Sequence, residues 1–221
     1  MRRSAVQLIF DLDGTIADPT VGIGRSINYA LAAFGHPEIG AERISEHIGP
    51  PLDAIFRRIV PGVSADTILG MVAKYRERYG EVGYAENVVY PGVPETLEDL
   101  AAHGVPMGIC TSKRVDFAER ILTLFRLRSY FGFVSGGEIG ICKEEQLRIL
   151  ITQGTVNQGA VMIGDRAADI IAARANGLGS IGVLWGHGSR EELLRAVPDQ
   201  LVESPMELKR LAGERWEHDA G

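Results

Sequence analysis

The chain turns on the run Val6-Gln7-Leu8-Ile9-Phe10-Asp11-Leu12-Asp13-Gly14-Thr15. Val6 to Phe10 is apolar apart from Gln7 and reads as a short strand suited to a buried place in a parallel sheet. An acidic turn stops it. In extended backbone, side chains two residues apart point the same way, so Asp11 and Asp13 face one space while Leu12 turns back into the core. One carboxylate is then placed to attack an electrophile and the other to protonate the departing group. Gly14 permits the sharp turn, and Thr15 can hydrogen-bond back to the loop. Alone, such a stretch also suits an ordinary solvated turn, so the rest of the chain has to decide.

Downstream of this turn the pattern is helical. Ile23, Ile27, Leu31 and Phe34 recur at helical spacing within Thr20 to Phe34, and Gly35 and Pro37 supply a stop. Leu52 to Val60 and Ser64 to Tyr79 are two further helical stretches, separated by Pro61-Gly62. No strand is expected across residues 16–84, which form an all-helical insertion. From Gly92 the pattern alternates. Strands at Pro106 to Thr111, Phe131 to Ser135, Ala160 to Gly164 and Ser180 to Leu184 are interleaved with helices through Leu97 and Leu100, Val115 to Phe125, Glu144 to Thr152 and Ala167 to Ala175. Strands alternating with helices of this length imply an α/β class: a Rossmann-like parallel sheet with helices on both faces. Residues 1–15 and 85–221 make this core, and residues 16–84 the inserted domain.

Ligands of such sheets bind outside the carboxyl ends of the strands. The residues expected there are Asp11 and Asp13, Thr111 and Ser112, and Asp165, with Lys143 opening a helix between them. A helix starting near Asp165 would put Asp165 and Asp169 on one face. Acids converging at one edge repel each other without a cation, and hard oxygen ligands suit Mg²⁺. The Thr111 hydroxyl and nearby backbone amides can hold phosphoryl oxygens, and Lys143 supplies a fixed positive charge.

Composition excludes other classes. The 221 residues carry 23 Lys and Arg against 29 Asp and Glu, a net charge of −6 that argues against a nucleic-acid partner. With 45% hydrophobic and 24% charged residues the chain is globular in type. Cys110 and Cys142 have no zinc-site spacing and read as reduced thiols of a cytoplasmic protein. The basic start is too short in its apolar part for a signal peptide or a membrane span, so no membrane partner is expected. Glycine is in excess, 27 residues, and many follow apolar runs. The tail from Gly213 to Gly221, with Trp216 among charges, is assigned no function.

Taken together, Asp11-Leu12-Asp13-Gly14-Thr15, then Thr111-Ser112, then Lys143, then Gly164-Asp165-Arg166-Ala167-Ala168-Asp169 resemble the four motifs of the haloacid dehalogenase-like hydrolase superfamily, in the family's order. The likeness is greatest to its phosphoglycolate phosphatase-like and 5′-nucleotidase-like members, and it covers nearly the whole chain. Ile48-Gly49-Pro50-Pro51-Leu52 and Tyr90-Pro91-Gly92-Val93 also look like this subgroup. Two positions depart from it: Ser112 stands where many relatives have Asn, and Glu144 follows Lys143 where phosphoglycolate phosphatases commonly have Pro.

The resemblance implies a phosphoric monoester hydrolase in which Asp11 is phosphorylated and Asp13 is the general acid and base. It also implies Mg²⁺ held by the Asp11 carboxylate, the Asp13 carbonyl and Asp165, with Asp169 orienting a ligand water or Lys143 from behind. Thr111, Ser112 and Lys143 would bind the phosphate. The insertion would be a cap that closes over the site, with Arg43, His47 and Gly49 as its candidate substrate contacts. The substrate would be a small phosphomonoester, phosphoglycolate or a nucleoside monophosphate, and the protein a monomer or homodimer. A sugar-phosphate mutase, a dehalogenase and a non-catalytic regulatory protein on the same fold are the alternatives.

Overall fold

A computed structural model describes residues 6–137 and 140–212; the basic N-terminal residues and the Trp216 tail lie outside the described residues. The chain divides into two compact units, Met1–Ala17 with Val89–Gly221, and Asp18–Val88.

The first unit is built on a parallel sheet. Its strands are β1 (Leu8–Phe10), β4 (Met107–Cys110), β5 (Phe133–Ser135), β6 (Val161–Gly164), β7 (Gly179–Val183) and β8 (Gln200–Val202), in the order β5-β4-β1-β6-β7-β8. Phe10 stands between Ile109 and Ile163, so β1 is central, paired on both sides. Such a strand has no solvated face, which is why it reads as an unbroken apolar run. Its residues alternate between two layers. Ile9 packs with Met162 against Leu147 and Leu150 of α6 (Lys143–Thr152) and Ala172 and Ala173 of α7 (Ala167–Ala175). Phe10 faces the other way, lining a cavity of about 10 Å³ with Val93 and Leu97 of α4 (Val93–Ala102) and with Leu208. Burying each of these large side chains is worth roughly 1.5–3 kcal/mol. Helices α5 (Val115–Leu124) and α8 (Arg190–Ala196) complete the layers.

Ser180 to Leu184 is the last strand that the sequence pattern predicts; the structure adds α8 and β8 beyond it. Gln200-Leu201-Val202 is three residues long and pairs on one side only, too short for a periodic signal. A second correction concerns the insertion. Ala17–Asp18 is a two-residue strand, β2, which pairs with β3 (Val88–Val89) where the chain passes from one unit to the other.

The second unit is helical. It comprises α1 (Thr20–Ala33), a 3₁₀ turn at Ala41–His47, α2 (Leu52–Ile59), α3 (Ala65–Glu81) and a 3₁₀ turn at Gly83–Glu86. Ile27 and Leu31 of α1 and Ile68 and Met71 of α3 are buried. Ser64 caps α3 by accepting from the Thr67 N–H at 3.1 Å. Arg78 holds Glu86 with two nitrogens at 2.8 and 3.0 Å. Among the described residues of the chain, no helix is long and apolar enough to cross a membrane.

Candidate active site

The first loop follows from the place of β1. The Asp11 N–H donates to the Ile163 carbonyl at 2.9 Å, holding the residue in line with the strand. The chain then curls on itself: the Leu12 carbonyl accepts from the N–H groups of Ile16 and Ala17 at 2.9 and 3.1 Å. Leu12 is fully buried, so the acids on either side of it turn the opposite way, as the two-residue repeat predicts. Gly14 has φ +83°, and a Cβ there would lie 2.1 Å from Asp165 Oδ2. The turn therefore needs glycine both for its backbone and for the carboxylate that it lies against.

Asp11, Asp165 and Asp169 are all buried, and each brings a carboxylate oxygen within 4.8 Å of the others'. Asp165 comes from the end of β6. It precedes α7, whose N-cap is Arg166, so the expectation that it shares a helix face with Asp169 is corrected. Asp169 alone is on the helix, and its Oδ2 accepts the Arg166 N–H at 3.0 Å. Lys143, the first residue of α6, donates to Asp169 Oδ1 and lies 3.0 Å from Asp11 Oδ2. Asp165 Oδ2 accepts the His187 N–H at 2.8 Å, and Oδ1 accepts from the Thr15 hydroxyl at 3.4 Å.

Three buried carboxylates thus face one buried ammonium. Burial, with Asp169 and Asp11 adding to it, pushes the Asp165 carboxyl up to about 7. Burial also raises Asp169, against the opposing pull of Lys143. For Lys143 burial works the other way and is outweighed by Asp11 and Asp169, so its ammonium is held firmly charged. Asp11 Oδ1 is buried with no hydrogen-bond partner among the described residues. An all-oxygen donor set with surplus negative charge and an unsatisfied carboxylate oxygen fits a hard divalent cation.

Asp13 is partly buried outside this cluster. Its Oδ2 lies 2.8 Å from Lys113 Nζ, and its Oδ1 is buried with no partner among the described residues. Burial raises its carboxyl, and Lys113 opposes the rise. Thr111 directly follows β4, the strand beside β1, and its hydroxyl accepts the Lys113 N–H at 3.3 Å. Ser112 is exposed. Gln146 ties this second loop to the end of β5, donating to the Thr111 carbonyl at 3.4 Å, to Ser135 Oγ at 2.8 Å and to the Gly136 carbonyl at 3.1 Å.

Asp11, Asp13, Lys143, Asp165 and Asp169 therefore gather at the carboxyl end of the sheet, with Thr111 and Ser112 at the neighbouring strand end. Arg43, His47 and Gly49 belong to the helical unit. There Arg43 and Gly49 are exposed and His47 is buried, with neither ring nitrogen hydrogen-bonded among the described residues. Sequence reasoning passed over Lys113, Gln146 and the loop Trp185 to Gly188, where Trp185 Nε1 donates to the Thr15 carbonyl at 3.0 Å. One signal pointed to Lys113: four acids at one edge with a single assigned basic side chain call for a second.

Residues 8–183 match the model of the haloacid dehalogenase-like hydrolase family. The chain belongs to this family. It is 38% identical over 200 residues to a 5′-nucleotidase of Pseudomonas aeruginosa, covering 87% of this chain and 90% of that one. It is 33% identical over 199 residues to a phosphoglycolate phosphatase of Yersinia pseudotuberculosis, covering 86% and 85%. Among solved structures, a haloacid dehalogenase-like family hydrolase from Streptococcus pneumoniae superposes with a TM-score of 0.85 at 28% identity, over 92% of this chain and 96% of that one.

Proposed function

We propose that the chain is a Mg²⁺-dependent phosphatase that hydrolyses a small phosphomonoester through a phosphorylated Asp11. The observation that carries this reading is the pair of buried, unpartnered carboxylate oxygens, Asp11 Oδ1 and Asp13 Oδ1, two residues apart at the carboxyl end of the central strand.

Asp11 is the nucleophile. One of its oxygens is held by Lys143, which orients the carboxylate for attack on phosphorus. Asp13 gives its proton to the leaving oxygen and then takes one from the water that cleaves the phosphorylated Asp11. Thr111 and Ser112 bind phosphoryl oxygens, and Lys143 offsets their charge. Asp11, the Asp13 carbonyl and Asp165 would hold Mg²⁺, whose bound charge neutralises the carboxylates and the phosphoryl group. Asp169 acts behind them, its oxygens committed to Lys143 and to the Arg166 N–H. Uncatalysed hydrolysis of phosphate monoesters is slow enough that enzymes reach accelerations of ~10²¹, which accounts for so much charge gathered at one point.

Phosphoglycolate and nucleoside monophosphates are the substrates to try first, on the strength of the two relatives. The helical insertion is the part assigned to selecting between them, with Arg43, His47 and Gly49 as its candidate contacts. Phosphate release from a panel of phosphomonoesters, with Mg²⁺ and with chelator, tests the proposal. Turnover should require the metal, and Asp11→Asn should abolish it with p-nitrophenyl phosphate. Isomerisation of glucose 1-phosphate without free phosphate would instead establish a mutase.

A further inference from the structure

Lys113 has no part in the mechanism so far, although its surroundings are those of a working residue. Its side chain is only 7% exposed, and its ammonium lies 2.8 Å from Asp13 Oδ2. Lysine is almost never buried without a partner, because leaving water costs the charge several kcal/mol. The pair joins residues 100 apart in the chain and ties the loop after β1 to the loop after β4. It also makes the two oxygens of Asp13 unlike. Oδ2 is held by the ammonium, whereas Oδ1 is buried with no hydrogen-bond partner among the described residues.

We infer that Lys113 is a positioning residue for proton transfer: by holding Oδ2 it fixes the Asp13 carboxyl so that Oδ1 is the oxygen that gives and takes the proton. This rests on the phosphatase reading and deepens it. In the first half-reaction an Asp11 oxygen bonds to phosphorus and the bond from phosphorus to the leaving oxygen breaks. The proton on Asp13 Oδ1 passes to that oxygen, which departs as an alcohol. In the second, a water oxygen bonds to phosphorus, its proton goes to Asp13 Oδ1, and the bond from phosphorus to Asp11 breaks. Phosphate leaves and both carboxyl groups are restored. Lys113 keeps its charge throughout and contributes orientation, which matters in proportion to how much the leaving group needs a proton. An alkoxide needs one; a nitrophenolate departs as a stable anion.

That contrast supplies the test, since both esters are measured on the same folded protein. Wild type, Lys113→Met, Lys113→Arg, Asp13→Asn and the double variant Asp13→Asn with Lys113→Met are loaded with Mg²⁺ and mixed in excess over substrate. Release of alcohol from glycerol 2-phosphate and of nitrophenol from p-nitrophenyl phosphate is followed through one turnover. Lys113→Met should slow the alkyl ester about 100-fold, the size of a general-acid contribution, and the nitrophenyl ester by less than about 5-fold. Lys113→Arg should recover most of the alkyl rate, and Lys113→Met should add little once Asp13 is Asn. Equal losses on both esters, or no loss on either, would overturn the inference and leave the phosphatase reading standing. A wild type that releases neither product would bring down both.

Discussion

Replacing Gly14 by Ala tests the site through its tightest contact. Two costs arise. The backbone is at φ +83°, a left-handed conformation that costs a side chain on the order of 1 kcal/mol. The new methyl would also lie 2.1 Å from Oδ2, 2.4 Å from Cγ and 2.6 Å from Oδ1 of Asp165, whereas ordinary contact begins at 3.4 Å. The carboxylate cannot swing aside freely, because the His187 N–H holds Oδ2 at 2.8 Å. One partner must therefore shift by roughly an ångström, and a misplacement of that size at a reacting centre costs about 100-fold in rate. The expected result is a loss of about 1–3 kcal/mol in stability, a fall of about 100-fold in kcat/KM, and a higher Mg²⁺ concentration for half-activation. Thermal unfolding and steady-state phosphate release across a Mg²⁺ series measure these. Gly104→Ala is the control: it has φ +73° and nothing within 4 Å of a new Cβ, so it should lose stability by the backbone cost alone and keep full activity. A Gly14→Ala enzyme within threefold of wild type, or a Gly104→Ala enzyme equally impaired, would refute the reasoning.

Other outcomes follow from the same structure. Because Asp165 is raised from 3.8 to about 7, the folded chain holds a proton that the unfolded chain has lost, so without metal stability falls as pH rises through that window. The unfolding midpoint in chelator should drop between pH 5 and 8 by the equivalent of on the order of 2 kcal/mol, and Mg²⁺ at pH 8 should restore it; a chelated midpoint that stays level or rises contradicts this. Burial pushes the Cys110 thiol up to about 12, while Cys142 is exposed, so a thiol reagent should modify one cysteine in the native protein and two after denaturation. Val197 ends α8 at φ 58°, ψ 64°, a costly conformation for a β-branched residue, and the residue is 58% exposed. Val197→Gly should stabilise the fold by about 0.5–1 kcal/mol in chemical denaturation, and a destabilised variant would show that its packing outweighs the strain.

The parts of the molecule legible in the sequence were those with a local pattern. Leu8 to Phe10 has one because a central strand is buried on both faces, and α1 has one because its stripe of Ile23, Ile27 and Leu31 packs inward. β2 and β8 have none, being two and three residues long. At the site, the residues that end strands were found because strand ends converge. The helix itself reads as Ala167 to Ala175, as found; what fails is the face shared by Asp165 and Asp169, because Asp165 precedes the helix and its carboxyl meets the Thr15 hydroxyl and the His187 N–H. Lys113 and Gln146 carry no such pattern, because their partners, Asp13 in the first loop and Ser135 at the end of β5, are distant in the chain, and nothing in the neighbouring sequence records such a meeting.

The central place of β1 also bears on how the protein is made. Leu8 finds its sheet partners at Met107 and Val161, and Asp165 takes a hydrogen bond from His187. Synthesis runs from the N-terminus, so Asp11 leaves the ribosome well before the strands that flank it and is seated only once they follow. Pairings of such long range are also slow to form. A nascent chain halted before His187 would carry Asp11, Asp13 and Lys143 and still lack a finished site. The onset of phosphatase activity during translation would therefore mark the moment at which the whole core has closed.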